Sequence, residues 1–243
     1  MSHIEASWTS YLTTFDDQLD DLKARFAEDE FIEFPDFGPR EVREALDREI
    51  VGLLDKHGLK RRINVSRTGG TPRFMEVVGR NPIAEESELI PGTYHSAALR
   101  SFLAEITKAG EILPVPFTPE EMVISRLTEI GETHGWHWDD YSYAFVWIVE
   151  GPAPEDGGAL EYVRDTAWNK EDPRVEEVLA GGRVERRHPA TGSAYLLKAD
   201  TALHRVAPLA REGARRVILC FSYASPGEMD KAVDHTEVDF YSA

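Results

Sequence analysis

His134-Gly135-Trp136-His137-Trp138-Asp139-Asp140 is the stretch on which the reading of this chain turns. His137 and Asp139 are separated by Trp138 alone, and residues i and i+2 of a β-strand point to the same face, so an imidazole and a carboxylate would converge on one point. That is part of a metal site. His134 stands three before His137, which in a regular strand places it on the opposite face. Gly135 between them permits a turn of the backbone that would bring both rings into one cavity. Asp140 is singled out from the other acidic residues only by its position beside this pair.

The remaining ligand has to come from elsewhere in the chain. Thr201-Ala202-Leu203-His204-Arg205-Val206 reads as a short apolar strand carrying one imidazole. Two imidazoles and one carboxylate form the facial set that iron(II) takes when the opposite face is left open for reactants. Zinc in a hydrolase would accept the same donors. The next strand opens on Arg215-Arg216, and a buried arginine there could hold a dicarboxylate bidentately, for which a hydrolytic zinc site has no general need. Adjacent residues of a strand face opposite ways, so only one of the two lines the interior; Arg215 is assigned that place, with Arg216 as the alternative. A plainer reading makes all of these satisfied polar residues near strand ends. Among the other histidines, His3 lies in a terminus expected to be mobile, His95, His188 and His235 have no partner at ligand spacing, and His57 sits where a positive charge favours a helix C-terminus.

The 243 residues suffice for one large domain with a substantial core. A net charge of −17, from 44 acidic and 27 basic residues, opposes attraction to phosphate backbones and anionic membranes, so neither nucleic acid nor membrane is an expected partner. No charged-then-apolar leader or long apolar run is legible, and a cytoplasmic location is expected. The single cysteine, Cys220, allows no intrachain disulfide and reads as a buried inert thiol. A homodimer is left open.

Along the chain, Trp8, Leu12, Phe15, Leu19, Leu22 and Phe26 recur at helical spacing, predicting one helix from Ser7 to about Phe31. Phe34 to Pro39 breaks the chain, and a second helix runs from Pro39 to His57, ended by Gly58. Lys60–Ser66 and Arg73–Val78 read as a hairpin about the Gly69-Gly70 turn; Arg73, at a strand end, would ordinarily be solvated. A third helix spans Tyr94–Ala109. After Pro114 and Pro116 the pattern changes to short β-branched and aromatic runs, at Met122–Ile130, Tyr143–Glu150, Ala159–Val163, Val184–His188, Ser193–Leu197, Leu203–Val206 and Arg215–Tyr223, with a short helix over Pro173–Leu179. Short strands at this spacing suggest an α+β chain, with N-terminal helices packed on a jelly-roll core. The whole is read as a single domain, 1–243. Its parts are helical and hairpin support (1–111), a catalytic core (112–224) and a C-terminal cover (225–243).

The ordered set His137, Asp139, His204 and a following arginine resembles the iron(II)/2-oxoglutarate dioxygenases, and within them the radical halogenases of free lysine and their lysine hydroxylase relatives. The likeness spans nearly the whole chain and implies that the jelly-roll core is a cupin-like double-stranded β-helix. It implies iron(II) on His137, Asp139 and His204, with 2-oxoglutarate (its far carboxylate on Arg215) and O2 as co-substrates. It also implies an amino-acid substrate whose side-chain ammonium lies against Glu120 and Asp140 and whose carboxylate is held by Arg73 and His134. In the halogenases the carboxylate position is glycine, which frees a site for chloride; Asp139 here points to hydroxylation. The expected activity is hydroxylation of L-lysine on a side-chain methylene near carbon 4. The alternatives are ornithine or arginine as substrate, or a cupin-like metal-binding or sensing protein without turnover.

Overall fold

The computed structural model describes residues 3–231. Its helices are α1 His3–Leu12, α2 Leu19–Asp29, α3 Arg40–His57, α4 Arg80–Glu86, α5 Leu89–Tyr94, α6 Ala97–Thr107 and α7 Val175–Gly181. Its strands are β1 Phe31–Phe34, β2 Leu59–Val65, β3 Thr71–Val78, β4 Leu113–Pro114, β5 Met122–Leu127, β6 Thr133–His137, β7 Tyr143–Glu150, β8 Leu160–Val163, β9 Glu185–Arg187, β10 Ala194–Lys198, β11 Leu203–Val206 and β12 Arg216–Ala224. They form one antiparallel sheet in the order β1-β10-β7-β12-β5-β3-β6-β11-β8-β9, with β2 beside β3 and β4 beside β12. The sheet curls, so that Leu160 and Tyr162 of β8 pack over Ala144 and Val146 of β7 and Tyr195 and Leu197 of β10. This is the jelly-roll core with helices against it.

Strand parity divides the core in two. Odd positions of β12 (Val217, Leu219, Phe221 and Tyr223) face the helical layer, together with Phe145 and Trp147 of β7 and Leu196 of β10. The even positions Arg216, Ile218, Cys220 and Ser222 line the cavity inside the curl. The helices and the loop between β1 and α3 cover the outer face with aromatic residues: Phe37, in that loop, lies 5.6 Å from Trp8 of α1 and 5.5 Å from Phe145 between ring centres. Gly38 completes that packing, since its φ is +98° and a Cβ there would come within 2.7 Å of the Trp147 ring.

Several elements depart from the sequence reading. The first predicted helix is broken by a 3₁₀ turn over Thr13–Gln18, where Thr13 and Thr14 hydroxyls donate to the carbonyls of Ser10 and Tyr11. It then stops at Glu30, which takes a left-handed conformation as C-cap. Phe31–Phe34, read as helix end and break, is instead strand β1, paired with β10. The third predicted helix begins at Ala97, where Ser96 Oγ accepts from the Leu99 amide at 3.2 Å. Residues 232–243, which hold His235 and most of the expected C-terminal cover, lie outside the described residues. Ser225 and Glu228, just before them, form a capping box that also binds Ser142. Among the described residues no helix is long and apolar enough to cross a membrane.

Candidate active site

His137 ends β6, and His204 lies directly opposite it on β11. Asp139 follows two residues after the strand, with its amide donating to the Ala199 carbonyl at 3.2 Å. The three side chains meet: Asp139 Oδ1 is 3.5 Å from His137 Nε2 and 3.6 Å from His204 Nε2. Trp138 between them packs with Val163, Val175 and Leu203, donating its Nε1–H to Thr166 Oγ1 at 2.7 Å and stacking on Trp168. The i, i+2 argument therefore holds, although Asp139 is no longer in the strand.

The donor set fits a metal ion. His137 Nδ1 lies 2.7 Å from the Gly135 carbonyl and His204 Nδ1 2.8 Å from the Ala202 carbonyl. A carbonyl can only accept, so each Nδ1 carries the proton and each Nε2 presents a lone pair. Burial, with His134, His204 and Arg73 nearby, holds His137 well below the usual imidazole range and so neutral. Burial likewise raises Asp139 above the usual carboxylate range. Two lone pairs and a desolvated carboxylate facing one another repel unless a cation lies between them. Among the described residues these are the only His, Cys, Asp or Glu whose ligand atoms cluster in this way, within 4.8 Å.

His134 enters the same cavity by a different route from the one expected. Its ring stacks on His137 at 3.9 Å and 16°, yet Gly135 keeps a negative φ inside β6. The pairing of β6 with β11 supplies the reason: His137 opposes His204 and His134 opposes Val206, so three steps on one strand match two on the other. That bulge reverses strand parity and puts both histidines on one face. Gly135 is needed for close approach, because a Cβ there would sit 2.7 Å from the Pro72 carbonyl. We expect Gly135→Ala to push β6 off β3 and destabilise the fold by about 1–3 kcal/mol, with iron affinity falling as well. Denaturant titration and metal titration of the variant check this.

Arg215 does not reach the cavity, which corrects the sequence assignment. It precedes β12, is exposed, and pairs with Glu150 on the surface at 2.9 Å. Arg216 takes the interior place. It is 3 % exposed, lines the cavity and hydrogen-bonds with Tyr195, whose phenol burial pushes up to about 12. Arg216 Nη2 is buried without a hydrogen-bond partner in the described structure. A buried guanidinium with an unused donor calls for an anion. The signal was present in the sequence, since the parity that carries Arg216, Cys220 and Ser222 is the polar one.

The other singled-out residues, Arg73, Glu120, His134 and Asp140, all line this cavity. Arg73 is buried rather than solvated, and it donates to Thr71 Oγ1, Thr68 Oγ1 and the Gly135 carbonyl. Burial, then Asp140 and Asp139, pushes Glu120 up to about 8. Asp140 accepts from Lys170 Nζ at 2.5 Å. Lys170, Trp168 and Tyr195 are cavity residues that sequence reasoning missed. Cys220 also lines the cavity, and burial pushes its thiol far up, so it stays protonated.

The model of the Halogenase D family matches residues 14–242. No curated protein matches the chain. Among solved structures, the epimerase SnoN from nogalamycin biosynthesis, in complex with Fe3+, alpha-ketoglutarate and nogalamycin RO, is similar with a TM-score of 0.62 at 14 % identity, over 86 % of this chain and 84 % of that one. A Pseudomonas putida prolyl-4-hydroxylase gives 0.57 at 18 % identity, over 86 % and 100 %. A 2OG-Fe(II) oxygenase family protein from Burkholderia pseudomallei gives 0.54 at 19 % identity, over 85 % and 91 %. At these identities the likeness is one of fold, that of the 2-oxoglutarate oxygenases. The family match covers nearly the whole chain and the three-ligand cluster suits iron(II): the chain belongs to the Halogenase D family and is an enzyme of the iron(II)/2-oxoglutarate oxygenase class.

Proposed function

We propose that the chain hydroxylates a free cationic amino acid, L-lysine first among them, on a side-chain methylene near carbon 4, giving hydroxylysine, succinate and CO2. The observation that carries hydroxylation over halogenation is Asp139: its carboxylate stands within 3.6 Å of both imidazole Nε2 atoms and completes the ligand set. His137, Asp139 and His204 would hold iron(II), and Arg216 with Tyr195 would hold the far carboxylate of 2-oxoglutarate. When bound, these groups would supply the oxidising chemistry, with O2 as oxidant: one of its oxygen atoms turns the C–H into C–OH and the other enters 2-oxoglutarate as it becomes succinate and CO2.

The chain's own residues then bind and orient the substrate. Arg73 and His134, paired across β3 and β6, form an anion seat for the amino-acid carboxylate. Glu120 and Asp140 form a cation seat for the ammonium. Holding both ends fixes which methylene faces the open side of the metal. A mass-spectrometric screen of free amino acids tests the reading. Gain of one oxygen by lysine, with succinate formation that needs both iron and the amino acid, is expected. Succinate release indifferent to lysine, ornithine and arginine alike would sink it.

Asp140→Ala or Glu120→Ala is expected to weaken lysine use by about 2–5 kcal/mol if the ammonium is buried, with iron and 2-oxoglutarate affinities nearly unchanged. Steady-state KM values for each ligand decide this. Glu120 also predicts a pH dependence. An acid raised to about 8 is largely neutral below that pH, and an ammonium beside it favours the ionised form. Lysine affinity should therefore climb from about pH 6 to about pH 8 and then level off. Calorimetry across this range, with Glu120→Gln flattening the slope, is the check.

A further inference from the structure

Lys170 lies in the segment joining β8 to α7, which has no regular secondary structure. Its ammonium meets Asp140 Oδ1 at 2.5 Å and stands 4.4 Å from the centre of the Trp168 ring, inside the cavity that holds the three-ligand cluster. A carboxylate and an aromatic face are the two surfaces on which proteins hold organic ammonium groups. The chain thus places a primary ammonium of its own where the proposed function places that of the substrate.

The segment is anchored through Trp168 and Thr166, not through Lys170. Trp168 donates its Nε1–H to the Arg67 carbonyl at 2.9 Å and stacks on Trp138, and the Thr166 amide donates to the Thr201 carbonyl at 2.8 Å. The Lys170 side chain is 26 % exposed against 9 % for Asp140, so its flexible stem can swing the ammonium into water while the tryptophan stays in place. Two ammonium groups crowded against the same carboxylate and ring repel each other, so the arrival of one favours departure of the other. We infer that Lys170 is a built-in occupant of the Asp140–Trp168 cation seat, which a substrate ammonium must displace, so that Lys170 sets the affinity for cationic amino acids. This inference rests on the amino-acid reading given above.

The test is anaerobic calorimetric titration of L-lysine and of L-norleucine, which has a similar side chain without the ammonium, into the full chain loaded with iron(II) and 2-oxoglutarate. Wild type, Lys170→Met and Lys170→Arg are compared. With the occupant removed, Lys170→Met should bind lysine about threefold to tenfold more tightly than wild type, since a partly exposed ion pair no longer competes. Norleucine should bind no more tightly, and Lys170→Arg, which keeps a cation there, should stay near wild type for lysine. If wild type binds lysine and Lys170→Met binds it equally or less well, Lys170 is a structural partner of Asp140 and the inference is overturned. Equal tightening for norleucine overturns it too, because Lys170 would then be a steric obstacle only. If no form binds lysine, the proposed substrate itself has failed, and this inference with it.

Discussion

Replacing Arg216 by glutamine is expected to raise the KM for 2-oxoglutarate about a hundredfold or more, whereas Arg215→Gln should leave it within about twofold. The two arginines adjoin in sequence and differ in everything that sets the size of such an effect. Arg215 pairs with Glu150 on the surface, where an ion pair contributes about 0–1 kcal/mol. Arg216 is buried, and its Nη2 has no hydrogen-bond partner among the described residues. Truncating one partner of a buried charge pair costs about 2–5 kcal/mol, because the other is left desolvated and unpaired. Arg216→Lys should recover only part of the loss, since an ammonium cannot make the parallel pair of hydrogen bonds that a guanidinium makes to a carboxylate. Anaerobic binding of 2-oxoglutarate separates this effect from any on turnover, and an undiminished affinity in Arg216→Gln would remove Arg216 from the cofactor site.

In saturating chloride the unaltered enzyme is expected to add oxygen and no chlorine to its substrate. With His137, Asp139 and His204 as its protein ligands and 2-oxoglutarate bound, the iron would have room for O2 but no second open position for chloride. Asp139→Gly would vacate that second position. Even so, we expect turnover to fall about a hundredfold or more, with little chlorinated product. Altering groups that merely support a ligand costs about tenfold to a hundredfold, and this change deletes a ligand while supplying nothing shaped to retain a halide. Product mass decides the matter. A chlorinated amino acid from the wild-type protein would mean that Asp139 does not ligate iron, despite its 3.5 and 3.6 Å approach to the histidines.

Much of the site was legible because it rests on local periodicity. His137 and Asp139 share a face through their spacing, and the ranges of β7 and β11 coincide with the apolar runs Tyr143–Glu150 and Leu203–Val206. What escaped depends on partners distant in sequence. The bulge that brings His134 beside His137 exists only in the pairing of β6 with β11, so no inspection of the heptapeptide alone reveals it. The choice between Arg215 and Arg216 is the exception: its signal, the polar parity of Arg216, Cys220 and Ser222, is local, but the first residue of a strand is where phase is hardest to read. Strand β1 was lost because Phe31-Ile32-Glu33-Phe34 is short and follows directly on a helix whose apolar spacing runs into it. Lys170 lies in a loop without periodicity, and only the fold brings it to Asp140.

The parity of β12 has a consequence for how such an enzyme can change. Val217, Leu219, Phe221 and Tyr223 belong to the core beneath the helices, while Arg216, Ile218, Cys220 and Ser222 line the cavity that holds the three-ligand cluster. The two sets alternate along one strand, so one backbone serves as the wall between scaffold and cavity. A lineage can therefore revise the chamber one side chain at a time, exploring new substrates or co-substrates, while the opposite face of the same strand continues to guarantee the fold.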